Sequence, residues 1–374
     1  MACGCLSIKS LLKEAGQGIG QAFFPQQIRG VFVKAFVHLG MHKTGTSSVQ
    51  ASYARQAPEG FFYPAERGTN LNVDARLLFE EDETCAKIPY VLRHGQAALP
   101  DLRRAAEESL LRQLADSPRD KVILSAERFT YMNRPAVERF RHFLDRHFDE
   151  TAFFAYIRDP LSFVKSSFQQ RLKSGARRIN FQADYPGYQA RFEKYEDFFG
   201  RDRISYRLFR RATLEGGDVV LDLTNWLGSS YRAEDVQTTN EGLSIEAIAL
   251  LYTYTRHGPQ GVDDTPQKTA GQRALIAALS EFGSGKWHLD PAVLDGILTD
   301  ITQDCAWMNA RLDAPLILTE TETPNPVSDR ASLEAIALRA FPDLRDHLAA
   351  RLAGTEAKRL PELAAKVDFL RAIS

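Results

Sequence analysis

The stretch "HLGMHKTGTSS", His38–Ser48, directly follows the apolar run "VFVKAFV" at residues 31–37. A β-branched and aromatic run of this kind favours a buried strand, which we expect over Val31–Leu39. A polar helix, "SSVQASYARQ", is expected after the loop. Such a helix points its unpaired N–H groups at the loop, and together with the helix dipole they favour an anion. The loop residues with donor groups or small size are Lys43, Thr44, Gly45, Thr46, Ser47 and Ser48.

The order of these residues is not that of the nucleotide P-loop. In G-x-x-x-x-G-K-[ST] the lysine follows the second glycine. Here Lys43 comes two residues before Gly45, so the nucleotide triphosphate signature is absent. A glycine in this place allows a tight turn and a close approach of the backbone to a ligand.

Three more apolar runs, each next to a helix-like pattern, are expected to be strands. They are "KVILS" (121–125), "AFFAYI" (152–157) and "RISYRLF" (203–209). Alternating strands and helices predict an α/β fold with a parallel sheet covered on both faces and ligands at the carboxyl ends of the strands. Beyond about Asn240 the apolar spacing predicts helices, over 243–257, 271–282, 290–312 and 330–341. We therefore expect an N-terminal helical segment over 1–30, an α/β core over 31–239, and a helical C-terminal extension of the same domain over 240–374.

A second strand-to-helix junction is "AFFAYIRDPLSFVKSSF" at residues 152–168. Asp159 is placed to cap the helix, and Pro160 suits its first turn, where the missing N–H costs nothing. Neither role explains Arg158 at the end of the strand or Ser166 further along the helix.

The two junctions together resemble PAPS-dependent sulfotransferases, where PAPS is 3′-phosphoadenosine 5′-phosphosulfate. The order K-T-G-T-S-S after a strand resembles the family's 5′-phosphosulfate loop, and R-D-P-x5-S-S-F resembles its 3′-phosphate-binding element. The resemblance covers roughly Val31–Gly228. The family often has a basic residue between the arginine and the serine, whereas here Phe163 and Lys165 flank the middle.

The resemblance implies a P-loop-like, three-layer sulfotransferase fold with PAPS as co-substrate and no metal. Arg158 and Ser166 would then hold the 3′-phosphate, and residues 43–48 would hold the 5′-phosphosulfate. Lys43 would neutralise the charge that develops on the leaving oxygen. The acceptor hydroxyl would belong to a carbohydrate, a lipid headgroup or a small metabolite.

The resemblance also implies a general base for the acceptor, a histidine or a glutamate, between the two junctions. Glu127 in "VILSAERF" is the first candidate, although it could instead be a helix-start acid or a partner of Arg128. His42 is the second candidate, and it could equally donate to the sulfate or pack beside the loop. His94 is a weaker third and suits a surface position.

A basic cluster follows the Ser166 helix, and it either clamps phosphate, meets an acidic acceptor, or simply lies at a solvated helix end. Its members are Arg171, Lys173, Arg177 and Arg178.

Composition excludes several other classes. The net charge of −1 gives no basic field for nucleic acid. No apolar run reaches the ~18–20 residues of a membrane span, although the loosely amphipathic residues 6–24 could contact a membrane peripherally. Four cysteines without zinc-site spacing fit a reducing, cytoplasmic setting.

Two functions remain as alternatives to a sulfotransferase. They are a P-loop nucleotide-dependent kinase or phosphotransferase, and a catalytically silent PAPS/PAP-binding protein. The sequence carries no signal for oligomeric state.

Overall fold

The computed structural model describes residues 34–117, 119–237, 242–257, 266–318 and 326–353. The expected N-terminal segment 1–30 and its amphipathic residues 6–24 lie outside them. The strands are β1 (Lys34–Leu39), β2 (Phe61–Phe62), β3 (Lys121–Ala126), β4 (Glu150–Ile157) and β5 (Ile204–Leu208). They form one sheet in the order β2-β3-β1-β4-β5, and every neighbouring pair is parallel. The predicted α/β class with a parallel sheet is confirmed.

Helices connect and cover these strands. The bounds are α1 (Thr46–Arg55), α2 (Asn72–Phe79), α3 (Asp82–Cys85), α4 (Pro89–His94), α5 (Leu99–Ala115), α6 (Arg134–His147), α7 (Pro160–Lys173), α8 (Tyr188–Phe199), α9 (Val219–Trp226), α10 (Ile245–His257), α11 (Pro266–Ser280), α12 (Leu298–Asn309), α13 (Arg330–Arg339) and α14 (Phe341–Ala353). A 3-10 turn, Arg128–Tyr131, follows β3.

Alternate strand residues enter two separate apolar clusters, because side chains along a strand point to opposite faces. Val37 and Phe153 belong to a cluster that also contains residues of α6, α7 and α8. Ile123, Phe154 and Tyr156 belong to a second cluster, with residues of α1 and α9. The sheet is therefore covered by helices on both faces, which explains why its strands read as nearly continuous apolar runs.

The C-terminal helices bury their apolar faces against the first of these clusters. Ile248 of α10, Ile301 of α12 and Leu333 of α13 all join the cluster that contains Val37. The single helix expected over 290–312 is wrong in its first part, which is a 3-10 turn, Pro291–Ile297, followed by α12. The described helices include none that is both long and apolar enough to cross a membrane.

The strand order places a crevice between the carboxyl ends of β1 and β4. The chain leaves β1 toward β2 and β3 on one side, and leaves β4 toward β5 on the other. In open α/β sheets, ligands bind where neighbouring connections diverge in this way. Both sequence junctions lie at this edge.

Candidate functional site

The loop after β1 is shaped by close backbone contacts. The N–H of Gly40 donates to the carbonyl of Ala126 at 3.1 Å and so extends the β1–β3 pairing. A Cβ at Gly40 would lie only 2.6 Å from the Cγ2 of Thr46, so this position requires glycine. The hydroxyls of Thr44 and Thr46 donate to the carbonyl of Met41 at 2.7 and 3.0 Å. These two hydroxyls, which we expected to face a ligand, instead hold the loop in shape.

Several backbone N–H groups of the same loop have no hydrogen-bond partner among the described residues. Gly45 precedes α1 with a φ of 75° and gives it no side-chain cap. In the described part of the chain, none of the backbone N–H groups of residues 44–47 donates a hydrogen bond to another residue. Ser47 is exposed and Ser48 is buried. Successive free N–H groups at a helix start form a concave site for an anion.

Lys43 stands at the mouth of this loop with a φ of 65°, in the left-handed region. Its side chain is half-buried. Burial, followed by the charges of Lys173 and Arg158, lowers the pKa of Lys43, while the charge of Glu127 acts in the opposite direction. A half-buried ammonium beside two other cations is a site that an anion would stabilise.

Arg158, at the end of β4, connects the two junctions directly. Its Nη1 donates to the carbonyl oxygen of Lys43 at 2.5 Å, and its Nε donates to the hydroxyl of Ser162 at 2.8 Å. Ser166 lies one turn further along α7 and is half-buried. Ser162 was not foreseen, although it lies four residues, about one helical turn, after Arg158 and is therefore nearer to it in sequence than Ser166. The guanidinium also lies 5.8 Å from the ring centroid of Phe209.

Asp159 does not cap α7 through its side chain, which corrects our expectation. Its carboxylate accepts two hydrogen bonds from Arg210, at 2.9 and 2.6 Å, and one from the backbone N–H of Ile317, at 2.8 Å. Pro160 occupies the first turn of α7 as expected. Asp159 therefore ties the second junction to β5 and to the C-terminal part of the chain.

The four basic residues at the end of α7 have different surroundings. Arg171 binds both carboxylate oxygens of Asp184 at 2.7 Å, so it has a structural partner. Arg177 and Arg178 are exposed. Lys173 is half-buried, which lowers its pKa, and its charge acts on Lys43. Of these four residues, Lys173 is therefore the one whose charge is shown to act on Lys43.

The two candidate bases contact each other. The Nδ1 of His42 lies 3.1 Å from the Oε2 of Glu127, and the side chains are 41% and 20% exposed. Arg128 pairs with Glu80 instead, so the reading of Glu127 as a partner of Arg128 is wrong. The ring of Tyr131 lies 5.3 Å from that of His42 and closes one side of the pair.

His94 does not belong to this arrangement. It is exposed, and its Nδ1 lies 2.8 Å from the carbonyl oxygen of Tyr90 in the same short helix. The structure thus gathers at one edge of the sheet an N–H-lined loop, three cations and a histidine–glutamate pair. This arrangement suits an anionic ligand on one side and proton removal on the other.

No protein-family model and no curated protein sequence matches the chain. Solved structures similar to it include a sulfotransferase from Alicyclobacillus acidocaldarius, with 15% identity, a TM-score of 0.37, and coverage of 67% of this chain and 96% of that one. A sulfotransferase domain from the curacin biosynthetic pathway has 15% identity, a TM-score of 0.34, and coverage of 84% and 99%. A sulfotransferase domain from the Synechococcus PCC 7002 olefin synthase has 12% identity, a TM-score of 0.37, and coverage of 70% and 98%. With TM-scores below 0.5 these likenesses are weak, and the fold class rests on the parallel sheet itself.

Proposed function

We propose that the protein transfers a sulfuryl group from PAPS to an acceptor hydroxyl by in-line displacement. The observation that carries this proposal is the hydrogen bond from Arg158 to the carbonyl of Lys43, which brings the two strand-to-helix junctions together. A donor with two separate phosphates needs such a pair of sites, one at each strand end.

The residues present fit such a donor. The free N–H groups of residues 44–47 suit the 5′-phosphosulfate oxygens. The planar guanidinium of Arg158, with the hydroxyls of Ser162 and Ser166 on the following helix, suits the 3′-phosphate. Bound PAPS would supply an activated sulfuryl group on a phosphate leaving group.

Lys43 neutralises the charge that builds on the bridging oxygen as the sulfur–oxygen bond lengthens. The left-handed φ of 65° at Lys43 is a costly conformation for a residue other than glycine, and strain of this kind is common at ligand-binding sites. Because burial and two neighbouring cations make the charge of Lys43 costly without a ligand, the charge is best stabilised when negative charge develops beside it.

Glu127 and His42 together act on the acceptor. The carboxylate of Glu127, 3.1 Å from Nδ1 of His42, favours a proton on that nitrogen, which leaves Nε2 of the more exposed imidazole to take the hydroxyl proton. The acceptor oxygen then attacks the sulfur while the proton passes to Nε2. Glu127 orients the ring and stabilises the imidazolium that forms.

Calorimetry with adenosine 3′,5′-bisphosphate (PAP), ATP and ADP tests the proposal. We expect PAP to bind much more tightly than either adenosine polyphosphate, with or without Mg²⁺. Equal or tighter binding of Mg-ATP would favour the kinase alternative, in which Glu127 at the end of β3 would serve the metal. Tight PAP binding without transfer of label from PAPS to any acceptor in a pool would favour a silent binder.

A further inference from the structure

The candidate base is flanked by an arginine that the sequence did not single out. The guanidinium carbon of Arg191, on α8, lies 4.2 Å from the ring centroid of Tyr131, and Tyr131 lies against His42. The hydroxyl of Tyr188, one turn earlier on α8, donates to the carbonyl of Arg158 at 2.6 Å. The first turn of α8 therefore places Arg191 beside both the Arg158 loop and the candidate base.

Arg191 has no counter-charge among the residues that the structure describes. Its Nε donates to the carbonyl of Pro186, but its Nη1 is buried and has no hydrogen-bond partner in the described part of the chain. No carboxylate of the described residues forms an ion pair with Arg191 or with Lys194, whereas the nearby Arg134 pairs with Asp197. A buried guanidinium donor without an acceptor is costly unless a ligand oxygen satisfies it.

Lys194 adds to the same excess of positive charge. Its ammonium is buried and, within the described ranges, donates to the carbonyls of Thr130 and Ala190, at 3.3 and 3.1 Å. Burial lowers the pKa of Lys194 to about 8, and the charge of Arg191 adds to this shift. The side of the crevice next to the candidate base thus carries two cations without an acidic partner in the described ranges.

We propose that Arg191 binds an anionic group on the acceptor, so that the substrate is a hydroxylated molecule that already carries a carboxylate or a sulfate. This inference rests on the proposed function, because it assigns the acceptor side of the same crevice. A planar guanidinium binds either group through two parallel hydrogen bonds. The guanidinium of Arg191 stacks on Tyr131 and so stays close to His42, where the acceptor hydroxyl must lie.

Binding titrations of three related sugars test this assignment. Glucuronate, glucose 6-sulfate and glucose are titrated into the full chain at saturating PAP, so that the candidate phosphate loops are filled. We expect at least one anionic sugar to bind about tenfold or more tightly than glucose, the size expected for a charge-assisted hydrogen bond. The two anions distinguish a carboxylate site from a sulfate site.

Variants test whether the preference for anionic sugars depends on Arg191. Arg191→Gln should abolish the preference, Arg191→Lys should retain part of it, and Arg134→Gln, a neighbouring arginine paired with Asp197, should retain all of it. Thermal unfolding of each variant separates a loss of binding from a loss of fold, and the lysine variant keeps the test valid if the glutamine variant unfolds.

The outcomes also separate this inference from the proposed function. No preference for either anion, or equal losses in the Arg191→Gln and Arg134→Gln variants, would overturn the assignment. Loss of the preference in Lys43→Met would also overturn it, because the sugars would then occupy the phosphate loop. Absence of PAP binding would overturn the proposed function instead, and the sugar titrations without PAP would still report on Arg191.

Discussion

Replacing Lys43 with methionine should lower turnover far more than it weakens binding of the nucleotide. Methionine keeps an unbranched side chain with the same Cβ atom and is one atom shorter, so the left-handed backbone at φ 65° carries similar strain in both proteins. A unit charge about 4 Å from the leaving oxygen contributes about 4 kcal/mol at an effective dielectric near 20. Loss of one comparable donor typically lowers kcat by about 10²–10³-fold.

Binding of PAP should change much less, by about tenfold at most. The free N–H groups of the loop and the guanidinium of Arg158 remain in the variant. Loss of the Lys43 charge also removes the cost of its burial and its repulsion with Lys173 and Arg158, all of which lower its pKa in the folded state. For the same reason, the ligand-free variant should unfold at the same temperature as the parent protein or at a higher one.

Single-turnover kinetics with labelled PAPS and calorimetry with PAP measure the two effects separately. Lys43→Arg is the matched control because it keeps the charge, and it should retain most of the activity. Equal losses in turnover and in PAP affinity would refute the reasoning, because the lysine would then only anchor the ligand.

Three further predictions concern other parts of the site. Glu127→Gln and His42→Gln should each lower kcat by about 10²–10⁴-fold, and the double variant should lose little more, because the two side chains act as one unit; additive losses would show independent roles. His38 is fully buried with its pKa lowered from 6.5 to about 4, so the unfolded state alone gains its proton as the pH falls below 6.5. The free energy of unfolding should therefore decrease by about 3 kcal/mol between pH 6.5 and 4, and a His38→Gln variant with an undiminished slope would contradict this. Asp159→Asn should lower the free energy of unfolding, measured by chemical denaturation, by about 1.5–3 kcal/mol, because Arg210 loses its charged partner. A near-neutral effect would contradict this and would favour a helix cap as the role of Asp159.

The frame of the site was predictable because its signals are local. Val37, Ile123 and Phe154 lie in apolar runs whose composition marks a strand without knowledge of the fold. The strand β2, Phe61–Phe62, was missed because two residues are too short to show any periodicity. Its position in the sheet comes from pairing with β3, which sequence alone does not show.

Contacts between distant segments were not predictable. Asp159 has the sequence context of a helix cap, yet Arg210 competes for its carboxylate from 51 positions further along the chain. The four basic residues at the end of α7 look alike in sequence, and only the fold shows that the charge of Lys173 acts on Lys43 while Arg171 binds Asp184. The stacking of Arg191 on Tyr131 likewise depends on how α8 packs against the turn after β3.

The register of the sheet explains why three separate strand ends meet within one site. Leu39 of β1 is aligned with Ala126 of β3, so the next residues of both strands leave the sheet side by side. The bond from Gly40 to Ala126 continues this alignment by one residue, and the contact between His42 and Glu127 follows from it. On the other side of β1, His38 is aligned with Phe154, so β4 extends three residues further before Arg158 and brings its guanidinium level with the carbonyl of Lys43. A slip of one residue in either pairing would turn the strand's apolar residues to the wrong face. The packing of both faces of the sheet therefore holds Lys43, the His42–Glu127 pair and Arg158 in register, and the candidate crevice is a consequence of how this core packs.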